Sequence, residues 1–256
     1  MYPILFKIGN LAVETYYVLW FSALTVALLW TVRRLPLYGV DDNEGRRVIS
    51  WTFIGMLVGA RAFEYIWNFP VYWNDPALIL DLNRGGLAEV GALSGALITT
   101  LCLCWRNSRV SFERLADAAV PAVFLSMALG RWGCLAAGCC TGIQSTLPFA
   151  LHFPYDASGV TRHPTQIYHA LSAAAILVIL LLVEKKIMKH KRIPIHAVIT
   201  PLGGILYVIM RLAVSPFRTE TQGMMFSHKV AIGLLLISTL WFTFSLWGFH
   251  KNKTTS

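Results

Sequence analysis

The stretch GRWGCLAAGCCTG, residues 130–142, places Arg131 three residues before Cys134, with Cys139 and Cys140 close behind. A guanidinium is a permanent cation whose planar fork matches phosphate oxygens two at a time. A thiol has three ordinary uses. It packs as a small apolar group, pairs in a disulfide, or reacts as a nucleophile when a nearby cation favours the thiolate. All three uses stay open for Cys134, Cys139 and Cys140. Cys102 and Cys104 fall at the end of an apolar run and read as packing residues. Five cysteines are too few for a disulfide framework, and no Cys/His spacing has the pattern of a zinc site, so no metal is expected.

Other residues able to do chemistry are spread along the chain. Arg61, Arg131 and Arg211 lie within or at the end of apolar runs, where an arginine costs about 3 kcal/mol unless an anion or water meets it. Glu64, one turn after Arg61, can pair with it. Arg162 and Arg218 read as more exposed rim charges. The segment RHPTQIYHA, residues 162–170, holds His163, Gln166 and His169, with Pro164 suited to a first helical turn. His163 and His169 are six apart and share no helix face. The run RGGLAEVGALSG, residues 84–95, contains Glu89 and closely spaced small residues. Small residues let helix backbones approach, and also let an anion reach N–H groups at a helix start.

The elements that must position these groups are membrane helices. Of 256 residues 56% are hydrophobic and 14% charged, and the mean hydropathy of +0.57 lies outside the soluble range. The net charge of +9 sits in short runs beside apolar segments, which marks topology rather than nucleic-acid binding. The N-terminus lacks the charged start and small-residue cleavage site of a removable signal peptide. No repeat or linker divides the chain, so residues 1–256 read as a single polytopic membrane domain. Seven stretches of about 20 apolar residues are expected to span the bilayer. They run over Tyr16–Val32, Val48–Trp67, Gly86–Trp105, Leu115–Gly133, Thr165–Val183, Ala197–Val214 and Lys229–Phe249.

Basic residues set the direction. The first, third and fifth connections and the C-terminus carry fourteen of the 22 Lys and Arg residues. The positive-inside rule therefore predicts an all-α membrane protein with its N-terminus outside and its C-terminus cytoplasmic. In that orientation Tyr16, the glycine run, Arg131 with the three cysteines, residues 162–170 and residues 211–218 meet at the outer leaflet. Several arginines converging there point to a phosphate.

The segments VETYYVLW, GMLVGARAFEYIWN, RGGLAEVGALSGAL, FERLADAAVPAVFLSMALGRWG, HPTQIY and LYVIMRLAVSPFR, in that order, resemble the bacterial prolipoprotein diacylglyceryl transferase family. The resemblance covers most of the chain up to about residue 218. It implies transfer of the diacylglyceryl group of phosphatidylglycerol to the lipobox cysteine thiol of secreted prolipoproteins, at the outer leaflet of the cytoplasmic (inner) membrane. No cofactor and no nucleic acid are implied. Tyr16, Arg131, Gly142 and Arg211 match the family's site, and Arg61, His163 and Gln166 fall in its other motifs. Arg218 closes the last matching segment.

The chain also departs from the family. Val90, beside Glu89, stands where the family has a histidine. Cys134 replaces an asparagine, Cys139 an acid, His169 a glutamate and Ser215 another acid. The same reaction would then take His163 or Glu89 as base. A lipid-linked transfer to another acceptor through Cys134, Cys139 or Cys140, and a phospholipid-binding protein without catalysis, are the alternatives.

Overall fold

The computed structural model describes residues 3–8, 11–75, 78, 88–106, 109–190, 198–219 and 232–245. Each of the seven apolar stretches carries a helix: α1 (Thr15–Arg34), α2 (Asp42–Trp67), a short α3 (Phe69–Asn74) after it, α4 (Glu89–Arg106), α5 (Phe112–Ala137), α6 (Thr165–His190), α7 (Ile199–Val214) and α8 (Ile232–Ser245). The first residues expected for the third, sixth and seventh spans, and the basic C-terminal tail, lie outside the described residues. Among the described residues, four helices are long and apolar enough to cross a membrane: α1, α5, α6 and α7. The charged start DNEGRR, with Arg61 and Glu64 further on, lowers the apolarity of α2.

One element departs from an all-helical reading. β1 (Ile4–Ile8) and β2 (Leu11–Glu14) form an antiparallel hairpin, with Phe6 opposite Val13 and Lys7 opposite Ala12. The Thr15 N–H donates to the Pro3 carbonyl at 3.0 Å and ties the hairpin to the start of α1.

The chain forms two compact units. The first comprises residues 1–34 and 116–256. Its core gathers Phe124 of α5, Ala173, Ile176 and Leu180 of α6, and Ile199 and Met210 of α7. Gly203 lets α7 lie directly on Val120 and Phe124, because a Cβ there would stand 2.7 Å from Val120. Asp117, fully buried, accepts hydrogen bonds from the N–H groups of Val198, Ile199 and Thr200 and from the Thr200 hydroxyl. A carboxylate so placed satisfies the open donors and the positive dipole end of α7. Arg34 pairs with Glu184 at 2.6 Å and also donates to the Ala118 carbonyl at 2.9 Å. Both charges are buried, so losing either partner alone costs about 3–5 kcal/mol.

The second unit, residues 35–115, is built on α2 against α4. Gly55 and Gly59 meet Gly91 and Gly95 backbone to backbone, and a Cβ on Gly59 would lie 2.4 Å from the Gly91 carbonyl oxygen. Thr52 and Thr100 share a hydroxyl hydrogen bond at 2.8 Å across this seam. Gly91 and Gly95 of the glycine run therefore serve helix packing of the small-residue type found in membranes.

In both units polarity is turned inside out. Leu29, Val58, Leu182 and Leu240 are largely exposed, whereas Asp117, Gln166 and His169 are buried. Such a surface suits lipid, where apolar side chains face outward and polar groups must find partners within the protein.

Candidate active site

α5 ends where its sequence permits a left-handed residue. Gly138 adopts φ 71°, its N–H donates to the Leu135 carbonyl at 3.2 Å, and the Cys139 N–H donates to the Cys134 carbonyl at 3.2 Å. These two bonds define a Schellman helix end, in which the residues at the positions of Cys134 and Cys139 are brought face to face. The Cys139 thiol reaches back to the Cys134 carbonyl at 3.7 Å. Cys140 is itself left-handed, with φ 57°, and turns the chain again. As a result the three sulfur atoms all lie within 4.8 Å of one another. Cys134 is buried, Cys139 half-buried and Cys140 exposed. Hydrogen bonding to Cys134 and then Cys140, together with burial, holds the Cys139 thiol well above its ordinary pKa.

The turn is pinned to the start of α6. The Thr165 hydroxyl donates to the Cys140 carbonyl at 2.7 Å, and the Gln166 amide donates to the Cys139 carbonyl at 2.6 Å. Beyond it, Gly142 pairs antiparallel with Arg218, its N–H donating to the His163 carbonyl at 3.0 Å. The Ile143 N–H donates to the Phe217 carbonyl at 2.9 Å. Gly142 thus knots three segments, and a Cβ on it would lie 2.4 Å from the Phe217 oxygen and 2.6 Å from the His163 Cβ. Gly142→Ala must therefore move backbone. It is expected to cost roughly 1–3 kcal/mol in overpacking and to lower both the thermal midpoint in detergent and the activity, by at least about tenfold. Retention of both within error would show that the knot is dispensable.

α1 is held against the same end of α5. Gly130 faces the Trp20 ring, where a Cβ would approach to 2.8 Å, and Gly133 faces the Tyr16 carbonyl. The spacing of Gly130, Arg131 and Gly133 therefore sets the arginine beside Tyr16. The Tyr16 hydroxyl lies in charge-interaction range of Arg131 and all three cysteines. Arg131 itself is buried.

The two histidines differ. His163 is buried, shares a hydrogen bond through Nδ1 with the Tyr168 hydroxyl at 3.0 Å, and packs on Phe217 at 4.9 Å between ring centroids. His169 lies on α6 one turn beyond Thr165 and Gln166, and is 3% exposed. Neither of its ring nitrogens has a hydrogen-bond partner among the described residues. Arg131, Arg218 and Arg211 all act electrostatically on it, as does Cys140. Guanidinium groups from three segments thus act on a buried imidazole whose two nitrogens have no hydrogen-bond partner among the described residues. Buried polar atoms of this kind are rare and need a reason, such as a ligand group.

Sequence reading passed over His169 as a site residue. Its position one turn from Gln166, in place of a family glutamate, was the available signal. Arg162, part-buried, donates to the Asp156 carboxylate at 2.7 Å and to the Gly142 carbonyl at 3.4 Å. Arg61 and Glu89 belong to the second unit. Arg61 donates to the Leu78 carbonyl at 2.6 Å with its guanidinium over the Tyr72 ring, while the Glu64 carboxylate accepts from the Asn68 amide at 2.7 Å. Glu89 opens α4, and Val90 follows it with its side chain exposed.

A helical membrane protein with a buried histidine under the influence of three arginines, beside a thiol cluster, is the class that this geometry defines. The chain belongs to the prolipoprotein diacylglyceryl transferase family, whose model matches residues 3–249. It is 27% identical to the phosphatidylglycerol–prolipoprotein diacylglyceryl transferase of Finegoldia magna, over 92% of each chain. It is also 27% identical to that of Clostridium tetani, over 98% of this chain and 100% of the relative. With the Listeria monocytogenes protein of the same name the identity is 28%, over 92% of this chain and 86% of the relative.

Proposed function

We propose that this chain transfers the diacylglyceryl group of phosphatidylglycerol to the lipobox cysteine thiol of prolipoproteins. Family membership across residues 3–249 and the names of its relatives support the enzyme and both substrates. The observation that carries the chemistry is the convergence of Arg131, Arg211 and Arg218 on His169. The acceptor sulfur attacks the glycerol carbon that bears the phosphate, that C–O bond breaks, and glycerol phosphate leaves with the bonding electrons. The leaving phosphate gains negative charge as the bond lengthens. Cations fixed in a water-poor pocket stabilise that change more than they stabilise the bound lipid.

The thiol must lose its proton as it attacks. His163 has Nδ1 committed to Tyr168, whereas neither ring nitrogen of His169 has a hydrogen-bond partner among the described residues. The three arginines disfavour a fourth positive charge, so His169 takes the thiol proton only with the anionic phosphate bound among them. In that state it is the proton acceptor, in place of His163 or Glu89. Tyr16, within electrostatic reach of Arg131, and Gly142 and Gln166, whose bonds tie the turn to the start of α6, are assigned to the same site. The enzyme acts as a single polytopic domain of the bacterial inner membrane. It crosses the membrane seven times, with its N-terminus outside, its C-terminus cytoplasmic and its pocket in the outer leaflet; the distribution of Lys and Arg supports this orientation.

The test is complementation. Expressed in a bacterium depleted of its own diacylglyceryl transferase, the chain is expected to convert a lipoprotein precursor to its diacylglyceryl adduct, read by mass. Inserted, abundant protein with no adduct would reject the assignment and favour lipid binding without transfer.

A further inference from the structure

The three cysteines are not used by the transfer chemistry above, and their arrangement is more specific than packing requires. Their spacing in sequence, Cys-x4-Cys-Cys, has no zinc pattern, yet the helix end and the left-handed turn at Cys140 bring the three sulfurs within 4.8 Å of one another. A metal bound by sulfur at roughly 2.3 Å places its sulfur ligands about 4 Å apart. No sulfur separation in the cluster exceeds that spacing by more than about an ångström. The backbone beneath it is held by the Cys139–Cys134 and Gly138–Leu135 bonds and by Thr165 and Gln166 from α6. The exposure of Cys140 gives an ion a way in, while the buried Cys134 shields it from water on the other side.

We propose that Cys134, Cys139 and Cys140 form a three-thiolate site for a thiophilic divalent cation, Zn(II), with a fourth position left open to a thiol. The donor set selects for softness, because three sulfurs with no carboxylate among them suit zinc and disfavour magnesium or calcium. Three thiolates and Zn(II) carry a net charge of −1, and Arg131, which acts electrostatically on Cys134 and Cys140, supplies the opposite charge. Binding releases the three thiol protons to solvent. Three protein ligands with one vacant position are the arrangement of catalytic rather than structural zinc.

The fourth-ligand assignment rests on the proposed transfer reaction. The acceptor cysteine coordinates as its thiolate, its proton passing to His169. Its sulfur then forms the bond to the glycerol carbon as the C–O bond to phosphate breaks. The metal is neither oxidised nor reduced.

The test uses the full chain in detergent, reduced, freed of metal with a chelator, and titrated with Co(II) as a spectroscopic stand-in for Zn(II). One equivalent per chain is expected, with intense sulfur-to-cobalt absorption in the near ultraviolet that Zn(II) abolishes. C134S, C139S and C140S are each expected to weaken binding at least tenfold, while C102S/C104S and H169A leave the stoichiometry at one. A short peptide with a lipobox cysteine should shift the visible cobalt bands, and its Cys→Ser counterpart should not. No cobalt absorption by protein with five titratable thiols, or equal binding by a folded C134S/C139S double variant, would overturn the site. So would a disulfide that forms within the cluster and resists mild reduction. Binding without a peptide-induced shift would overturn the open position. Undiminished adduct formation by metal-free protein would overturn the role of the metal and leave the transfer reaction standing.

Discussion

Replacing Arg131 with alanine is expected to reduce diacylglyceryl transfer by about 10²–10³-fold, which corresponds to roughly 3–4 kcal/mol of lost transition-state stabilisation. Arg131 is the buried member of the arginine set and the one fixed by helix packing on both sides, through Gly130 against Trp20 and Gly133 against Tyr16. A charge held this way needs little reorganisation when the phosphate departs. The fold is expected to suffer less than the activity, because the cost of desolvating a buried guanidinium offsets much of what its contacts contribute. Arg131→Lys keeps the charge and loses the planar fork, so an intermediate rate is expected. The measurement is adduct formation on a lipobox peptide in phosphatidylglycerol vesicles, beside thermal midpoints of the same preparations. A variant that loses its fold along with its activity would show Arg131 to be structural. One that keeps full activity would remove it from the site.

His169→Ala is expected to lower the rate by about 10²–10⁴-fold, the range contributed by a positioned general base. Its two open ring nitrogens, and its place among Arg131, Arg211 and Arg218, are the grounds. A merely structural histidine would be replaced well by glutamine, which fills similar space and forms hydrogen bonds. A base would not. His169→Glu restores a proton acceptor and is expected to recover part of the rate, while His169→Gln is not. A base must be neutral to act, so the wild-type rate should fall on the acid side of its pH profile. That limb should be absent in His169→Ala and displaced in His169→Glu. Equal rates for the glutamine and glutamate variants would return the role to His163.

Hydropathy and charge, which are local properties of a chain, determined much of this protein. Seven apolar stretches carry helices, although α2 begins six residues before its expected span and α6 runs seven residues past it. Gly91 and Gly95 were legible as packing residues, whereas their partners Gly55 and Gly59 were not. Arg131 and the three thiols were recognisable as a constellation from thirteen consecutive residues. The N-terminal hairpin was missed because a short alternating segment carries a weak signal beside a strongly apolar helix.

What the tertiary structure alone decided is which distant groups meet. The contact of Thr165 and Gln166 with the carbonyls of Cys140 and Cys139 spans about 25 residues, and the Gly142–Arg218 pairing spans more than 70. No periodicity encodes such distances. In sequence His163 was the candidate base and His169 was not, yet the structure gives the His163 Nδ1 to Tyr168 and leaves both His169 ring nitrogens without a hydrogen-bond partner among the described residues. The cysteine spacing matched no metal motif, and only the left-handed turns at Gly138 and Cys140 fold it into a cluster. Local chemistry chose the residues, and the turns and long-range backbone bonds between α5, α6 and the end of α7 chose their partners.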